Sequence, residues 1–209
     1  MRLAARTATA AAVAAVLTAG AAQAATVGFS LRISGDPNVP TFVLTNLSDR
    51  EAISGFGLTI GDASRNFDEI LLGAGPMGGT ATLLFGSASQ GGNSATGGRT
   101  DSFAIGYTGF LSGRSSTFTA DIDRDDANTI ENYRVRFFNN GAAPNSVVTV
   151  TYDTGRILDL ALPDQATVAT SYTFSETIEV APIPLPAGLS LLGSALLGIA
   201  IAAMRRRRA

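Results

Sequence analysis

The residues best able to do chemistry in this chain form one acidic run. It reads Asp121-Ile-Asp123-Arg-Asp125-Asp126. Because aspartates at alternate positions of an extended segment point to one side, the carboxylates of Asp121, Asp123 and Asp125 are expected to lie together. Hard cations such as Ca²⁺ bind to carboxylate oxygens, and Glu131 or Asn128 could supply further oxygen ligands. The spacing therefore predicts a structural Ca²⁺ site at the edge of a folded domain.

The acidic run does not match the EF-hand pattern. Asp126 stands where the EF-hand loop has glycine at its sixth position, and Asn132 stands where it has glutamate at its twelfth. The other interpretation is a solvated acidic turn that Arg124 partly neutralises. We therefore expect no cofactor, with Ca²⁺ as the one alternative that the acidic run leaves open.

Three missing residue types exclude most catalytic chemistry. The chain has no Cys and no His, and all of its basic residues are Arg. It therefore has no disulfide, no thiolate nucleophile, no imidazole base and no Schiff-base lysine. Glycoside hydrolysis by paired carboxylates remains feasible, but no pair of acids stands out. We expect a protein that is not an enzyme.

The two ends of the chain differ in charge from the part between them. Six arginines lie in the first six and last five residues, which leaves nine arginines against 17 acidic residues in the central part, a net charge of −8. An acidic surface of this kind repels phosphate backbones, so a nucleic-acid partner is not expected.

The central part of the chain shows the two-residue period of β-strands. Polar and apolar residues alternate, with turn residues between the alternating segments. The segments are Thr26–Ile33, Thr41–Leu47, Gly55–Ile60, Ser102–Tyr107, Thr117–Ile122, Asn132–Phe138, Val147–Tyr152, Arg156–Leu162 and Ser171–Val180, with Phe67–Leu72 and Thr80–Phe85 as further candidates. Since this region shows no sustained helical period, the expected fold is all-β: a jelly-roll-like antiparallel β-sandwich over residues 25–180.

The N-terminus has the three regions of a secretory signal peptide. Arg2 and Arg6 supply the basic start, residues 8–19 are apolar, and Ala22 and Ala24 give the small-x-small cleavage site. We expect export by the general secretory route, with signal peptidase cutting after residue 24.

The C-terminus, residues 181–209, combines three elements in order. Prolines alternate within residues 182–187, where they prevent both helix and strand. Gly188 to Met204 is uncharged over 17 residues, which in a helix would just span a bilayer core. The stop-transfer cluster that follows is Arg205, Arg206, Arg207 and Arg208. By the positive-inside rule, this cluster holds the C-terminus in the cytoplasm.

These three elements resemble the PEP-CTERM sorting domain in its VPLPA variant. The resemblance rests on the motif Ile183, Pro184, Leu185, Pro186 and Ala187, followed by the apolar helix and the arginines. Ile183 stands where the family has valine. The resemblance implies an inner-membrane precursor in a Gram-negative bacterium, recognised by the membrane protease exosortase and then moved to the cell surface or extracellular matrix.

The resemblance also implies a role beside exopolysaccharide, for example in a biofilm. Two other interpretations stay open. The tail could be a simple single-span membrane anchor, and the sandwich could be a carbohydrate- or calcium-binding module. The four tyrosines are expected mainly in the core or at strand edges, which would leave few aromatic faces for sugar.

Overall fold

The structure, a computed structural model, describes residues 24–86, 100–139, 141, 143–166 and 168–181. The chain divides into two compact units, one of Met1–Ala25 with Val180–Ala209 and the other of Thr26–Glu179. Nearly all of the first unit lies outside the described residues. The fold below is therefore that of the second unit.

Ten strands and one short helix make up the described fold. They are β1 Ala25–Gly35, β2 Pro40–Asn46, β3 Ile53–Thr59, β4 Arg65–Leu72, β5 Thr80–Phe85, β6 Ser102–Phe110, β7 Ser115–Arg124, α1 Tyr133–Arg136, β8 Val147–Tyr152, β9 Ile157–Ala161 and β10 Ser171–Val180. The strands form two antiparallel five-stranded sheets. Sheet I has the order β10-β1-β2-β7-β4, and sheet II the order β5-β6-β3-β8-β9. The predicted all-β fold of two antiparallel sheets is confirmed.

Aromatic side chains from the inner faces of both sheets form the centre of the core. Phe42 of β2 stacks on Phe118 of β7, with ring centroids 4.8 Å apart. Phe56 and Phe103 of sheet II lie 5.1 and 5.9 Å from the Phe118 ring. All four rings are buried. Such aromatic pairs add roughly 0.5–1.5 kcal/mol each beyond the area that they bury.

One predicted strand is wrong. Residues 132–138 contain helix α1 instead, and the Asn132 side chain caps it by accepting a hydrogen bond from the Arg134 amide. Tyr133 and Phe137 are four residues apart, a spacing that fits both a strand face and a helix face. In the fold Phe138 is buried beside Phe137, whereas Val135 is only half-buried. The core therefore favours the helix, because it takes up two adjacent aromatic residues.

The two further candidate strands, Phe67–Leu72 and Thr80–Phe85, are present as β4 and β5. All four tyrosines are buried, as the sequence predicts for core positions. In the part of the chain that the structure describes, no helix is long and apolar enough to cross a membrane. The expected tail helix at 188–204, the Pro motif, the arginine cluster and the signal peptide before Ala24 lie outside that part.

Candidate functional site

Sheet I carries carboxylates on the face that points away from the core. Along β7, Ala120 and Ile122 point into the core, so Asp121 and Asp123 project from the opposite face. The prediction that these two aspartates lie on one side of an extended segment is therefore confirmed for the strand β7. Both side chains are nevertheless buried. Acidic side chains on the outer face of a sheet are ordinarily exposed.

A β-bulge adds a third carboxylate from the edge strand β4. Phe67 pairs with Ile122 and Ile70 with Ala120, so two residues of β4, Asp68 and Glu69, face the single residue Asp121. A bulge of this kind bends its strand and redirects a side chain. Here Phe67 and Ile70 both enter the core, and Asp68 joins the two aspartates of β7 on the outer face.

The three carboxylates form a compact group, which we call the aspartate cluster: Asp68, Asp121 and Asp123. Their ligand oxygens lie within 4.8 Å of one another. The three residues are only 3%, 8% and 3% exposed. They line a cavity of about 290 Å³ together with Asn38, Asn128, Thr129 and Ile130. The cavity is large enough for a hydrated cation.

Two loops cover the cluster. Asn38, in the β1–β2 loop, donates from Nδ2 to Asp121 Oδ1 over 2.7 Å and accepts the Glu131 amide at Oδ1 over 2.6 Å. Thr129, in the β7–α1 loop, donates its amide to Asp123 Oδ1. The two loops are further joined where the Tyr133 amide donates to the Pro37 carbonyl over 2.9 Å. This cover is what buries carboxylates on an outer sheet face.

The cluster is electrostatically unfavourable when all three acids are ionised. Burial and the negative charges of Asp123, Asp68 and Glu69 together raise the pKa of Asp121 to about 6, against the opposing effect of the hydrogen bond from the Ile122 amide. The charges that act on Asp121 are all negative. A bound cation or a proton relieves this repulsion.

Glu131 and Asn128, the further ligands that the sequence suggests, have different surroundings. The Glu131 carboxylate pairs with Arg65 over 3.1 Å and with Arg136 over 2.6 Å, so both of its oxygens are occupied. Asn128 lines the cavity. Of these two, Asn128 is the better placed to supply an oxygen.

Asp125 is not part of the aspartate cluster. Strand β7 ends at Arg124, and the chain then turns through a bridge between Arg124 and Ala127. The Asp125 carboxylate accepts a hydrogen bond of 2.9 Å from the Asn66 side chain. Asp126 pairs with Arg124 at the surface. The structure thus brings two of the three sequence-predicted ligands together and supplies Asp68 as the third.

The sequence contains a signal for Asp68 that strand periodicity alone does not use. Phe67 and Ile70 are separated by two polar residues, and two buried positions in a strand cannot be three apart without a bulge. The sequence pattern does not show which strand lies beside the bulge. The pairing of β4 with β7, which joins residues about 50 apart in the chain, decides this.

The arrangement suits cation binding better than proton transfer to a substrate. The three acidic groups have six oxygens, of which Asp121 Oδ1 and Asp123 Oδ1 already accept hydrogen bonds from the covering loops. Among the described residues, those that line the cavity include no basic side chain or aromatic ring to position an organic substrate. Comparisons with models of protein families, with curated proteins and with solved structures gave no match for this chain.

Proposed function

We propose that this chain is an exported, non-enzymatic surface protein whose β-sandwich binds a Ca²⁺ ion at the aspartate cluster. The observation that carries the proposal is the convergence of three buried carboxylates, with oxygens within 4.8 Å, on one cavity. Buried carboxylates are ordinarily paired, protonated or bound to a metal.

The carboxylates come from a rigid frame. Asp121 and Asp123 stand on β7, which has a strand on each side, and Asp68 stands on the paired strand β4. Ligands fixed by a sheet lose little conformational entropy when they bind a cation. The ladder that holds Asp68 beside Asp121 therefore supports a preorganised site.

The expected ion is Ca²⁺ rather than Mg²⁺. Calcium accepts six to eight oxygens in irregular geometry, whereas Mg²⁺ needs a near-ideal octahedron and retains its water. The cluster offers carboxylates from two strands beside Asn128, which lines the same cavity, and the cavity of about 290 Å³ has room for water. A mixed set of this kind suits the larger ion.

The proposed cellular destination of the protein rests on its N-terminal signal peptide and its C-terminal tail. The signal peptide would export it, and the tail with Ile183–Ala187 and Arg205–Arg208 would make it an exosortase substrate, released from the inner membrane to the surface or matrix beside exopolysaccharide. We propose a jelly-roll-like frame for the sandwich, since six of the nine connections between consecutive strands cross from one sheet to the other.

The proposal is tested by thermal unfolding of residues 26–179 after treatment with a chelator and again with Ca²⁺ added. A ligand at one hundred times its dissociation constant stabilises a protein by about 2.7 kcal/mol, so the melting temperature should rise by several degrees. The rise should be absent in Asp121→Asn. An equal rise in wild type and variant would contradict the proposed site.

A further inference from the structure

Strand β10 leads the chain out of the sandwich at one particular end. Arg32 of β1 donates from Nε to the Ser171 hydroxyl, at the start of β10, over 3.0 Å. Gly28, nearer the start of β1, packs against Thr177, nearer the end of β10. The last residues of β10 therefore lie beside the first residues of β1. The Leu47 amide donates to the Gly28 carbonyl over 2.9 Å, so the β2–β3 loop begins at this same end, which we call the exit end.

Three apolar side chains are exposed on neighbouring loops of the exit end. They are 40%, 78% and 48% exposed: Leu47, Met77 and Leu111. The turn that carries Leu111 is joined to both other loops. Gly113 donates its amide to the Asn46 carbonyl over 2.9 Å, and Arg114 donates from Nη1 to the carbonyl of Met77. Since the three loops adjoin the successive strands β2, β7 and β4 of sheet I, the apolar side chains form a row along one edge of the sandwich.

The exit end carries no net charge, although the domain is strongly acidic. Its four loops contain three acidic residues and three arginines: 47–52, 73–79, 111–114 and 153–156. The domain as a whole has 17 acidic residues and nine arginines. Each acid of these loops accepts a hydrogen bond from the protein: Asp49, Glu51 and Asp153. The net charge of −8 therefore lies on the rest of the domain, and an anionic surface repels the exit end least.

The chain that follows β10 favours a lipid surface as the partner of the exit end. Eight residues, 180–187, separate Glu179 from the uncharged stretch that begins at Gly188. Even when fully extended, this segment spans at most about 30 Å. In a membrane-anchored precursor it holds the loops of the exit end within reach of the lipid headgroups, at an effective concentration of millimolar order. A contact too weak to retain the released domain is then strong enough.

We propose that in the membrane-anchored precursor the exit end docks on the phospholipid surface through Leu47, Met77 and Leu111. Apolar side chains beside arginines suit the boundary between headgroups and acyl chains. The aspartate cluster, whose covering loops lie at the opposite end, then points away from the lipid phosphates. This inference rests on the proposed precursor with its membrane-spanning tail, and cutting of the tail should free the domain from the membrane.

The test uses residues 25–209, reconstituted in vesicles of phosphatidylethanolamine and phosphatidylglycerol with a chelator present. Because the chain has no cysteine, a single introduced cysteine can carry a fluorophore. Ser112→Cys places the fluorophore next to Leu111. Ala63→Cys, the matched control, places it at an equally exposed position of the β3–β4 loop, at the opposite end of the sandwich. Lipids brominated in their acyl chains should quench the first label and leave the second unquenched.

Removing the apolar side chains should weaken this contact. Met77→Ser/Leu111→Ser should reduce the quenching at residue 112 at least twofold. Ile130→Ser/Val168→Ser, which changes two exposed apolar residues away from the exit end, should leave the quenching unchanged. All four side chains are exposed, so folding should not depend on them. If a variant does not fold, the comparison of the two labelled positions decides the question.

The inference is overturned if brominated lipids do not quench the label at residue 112, or quench the label at residue 63 equally. Unchanged quenching in Met77→Ser/Leu111→Ser also overturns it. A blue-shifted but unquenched label at residue 112 would show that protein rather than lipid covers these loops. Flotation of the vesicles after an alkaline wash tests the precursor separately. Protein that floats without quenching contradicts the docking alone, whereas protein that does not float contradicts the proposed membrane anchor as well.

Discussion

Asp68 lies beside Asp121 across the β4–β7 ladder, at the one position where two residues of β4 face a single residue of β7. Their carboxylates, with that of Asp123, are within 4.8 Å of one another and buried. The bulge therefore turns an ordinary sheet edge into a concentration of negative charge.

Without a cation, the domain should become more stable as the pH falls from about 7 toward 4. Burial and the charge of Asp123 raise the pKa of Asp121 to about 6 from 3.8. A raised folded-state pKa contributes stability that is complete below the unfolded value and is lost as the pH rises through the folded value. Melting temperatures measured in chelator at several pH values check this.

The matched control for the pH prediction is Asp121→Asn, which should lose most of the rise. A smaller part should remain, because burial and the charges of Asp125 and Asp62 also raise the pKa of Asp101. A wild-type domain that loses stability steadily between pH 7 and about 5 would contradict the assigned electrostatics of the cluster.

Glu131→Gln should destabilise the domain by about 2–3 kcal/mol. The Glu131 carboxylate is buried between Arg65 and Arg136 and its amide is held by Asn38, so neutralising it removes the carboxylate that pairs directly with two partly buried guanidinium groups. Urea unfolding measures the loss. Asp126→Asn breaks only an exposed pair with Arg124 and should change stability by less than about 0.5 kcal/mol.

Pro184→Ala combined with Pro186→Ala should leave an uncut, membrane-bound precursor. The substitutions remove the residues that keep the segment before the apolar stretch extended, and with them the resemblance to the sorting motif. The measurement is the intact mass of the protein recovered from each cell fraction of the native host. The wild type should end near Pro186 or Ala187 outside the inner membrane, and normal release of the double variant would contradict the sorting role.

The strands could be predicted because their local pattern agrees with the sheets that they form. In β1, β3 and β8 the alternating apolar residues are the buried ones. The predicted strand at residues 132–138 is wrong because apolar residues at alternate positions also fit a short helix. Only the tertiary packing decides between the two structures: Phe137 contacts the rings of Phe42 and Phe67, and Phe138 those of Tyr172 and Phe174.

The aspartate cluster could be predicted only in part. Asp121 and Asp123 share a strand, so their common face follows from the two-residue period. The same period puts Asp125 on this face only if the extended chain continues, but β7 ends at Arg124. Asp68 depends on a pairing between distant strands, which no local pattern specifies.

The most direct test of the central claim is a calorimetric titration of Ca²⁺ into chelator-treated residues 26–179. We expect one ion per domain, binding weakened at least tenfold by Asp68→Asn and by Asp121→Asn, and binding unchanged in Asp126→Asn. Wild-type protein that takes up no calcium, or an Asp68→Asn variant that binds as tightly as wild type, would contradict it.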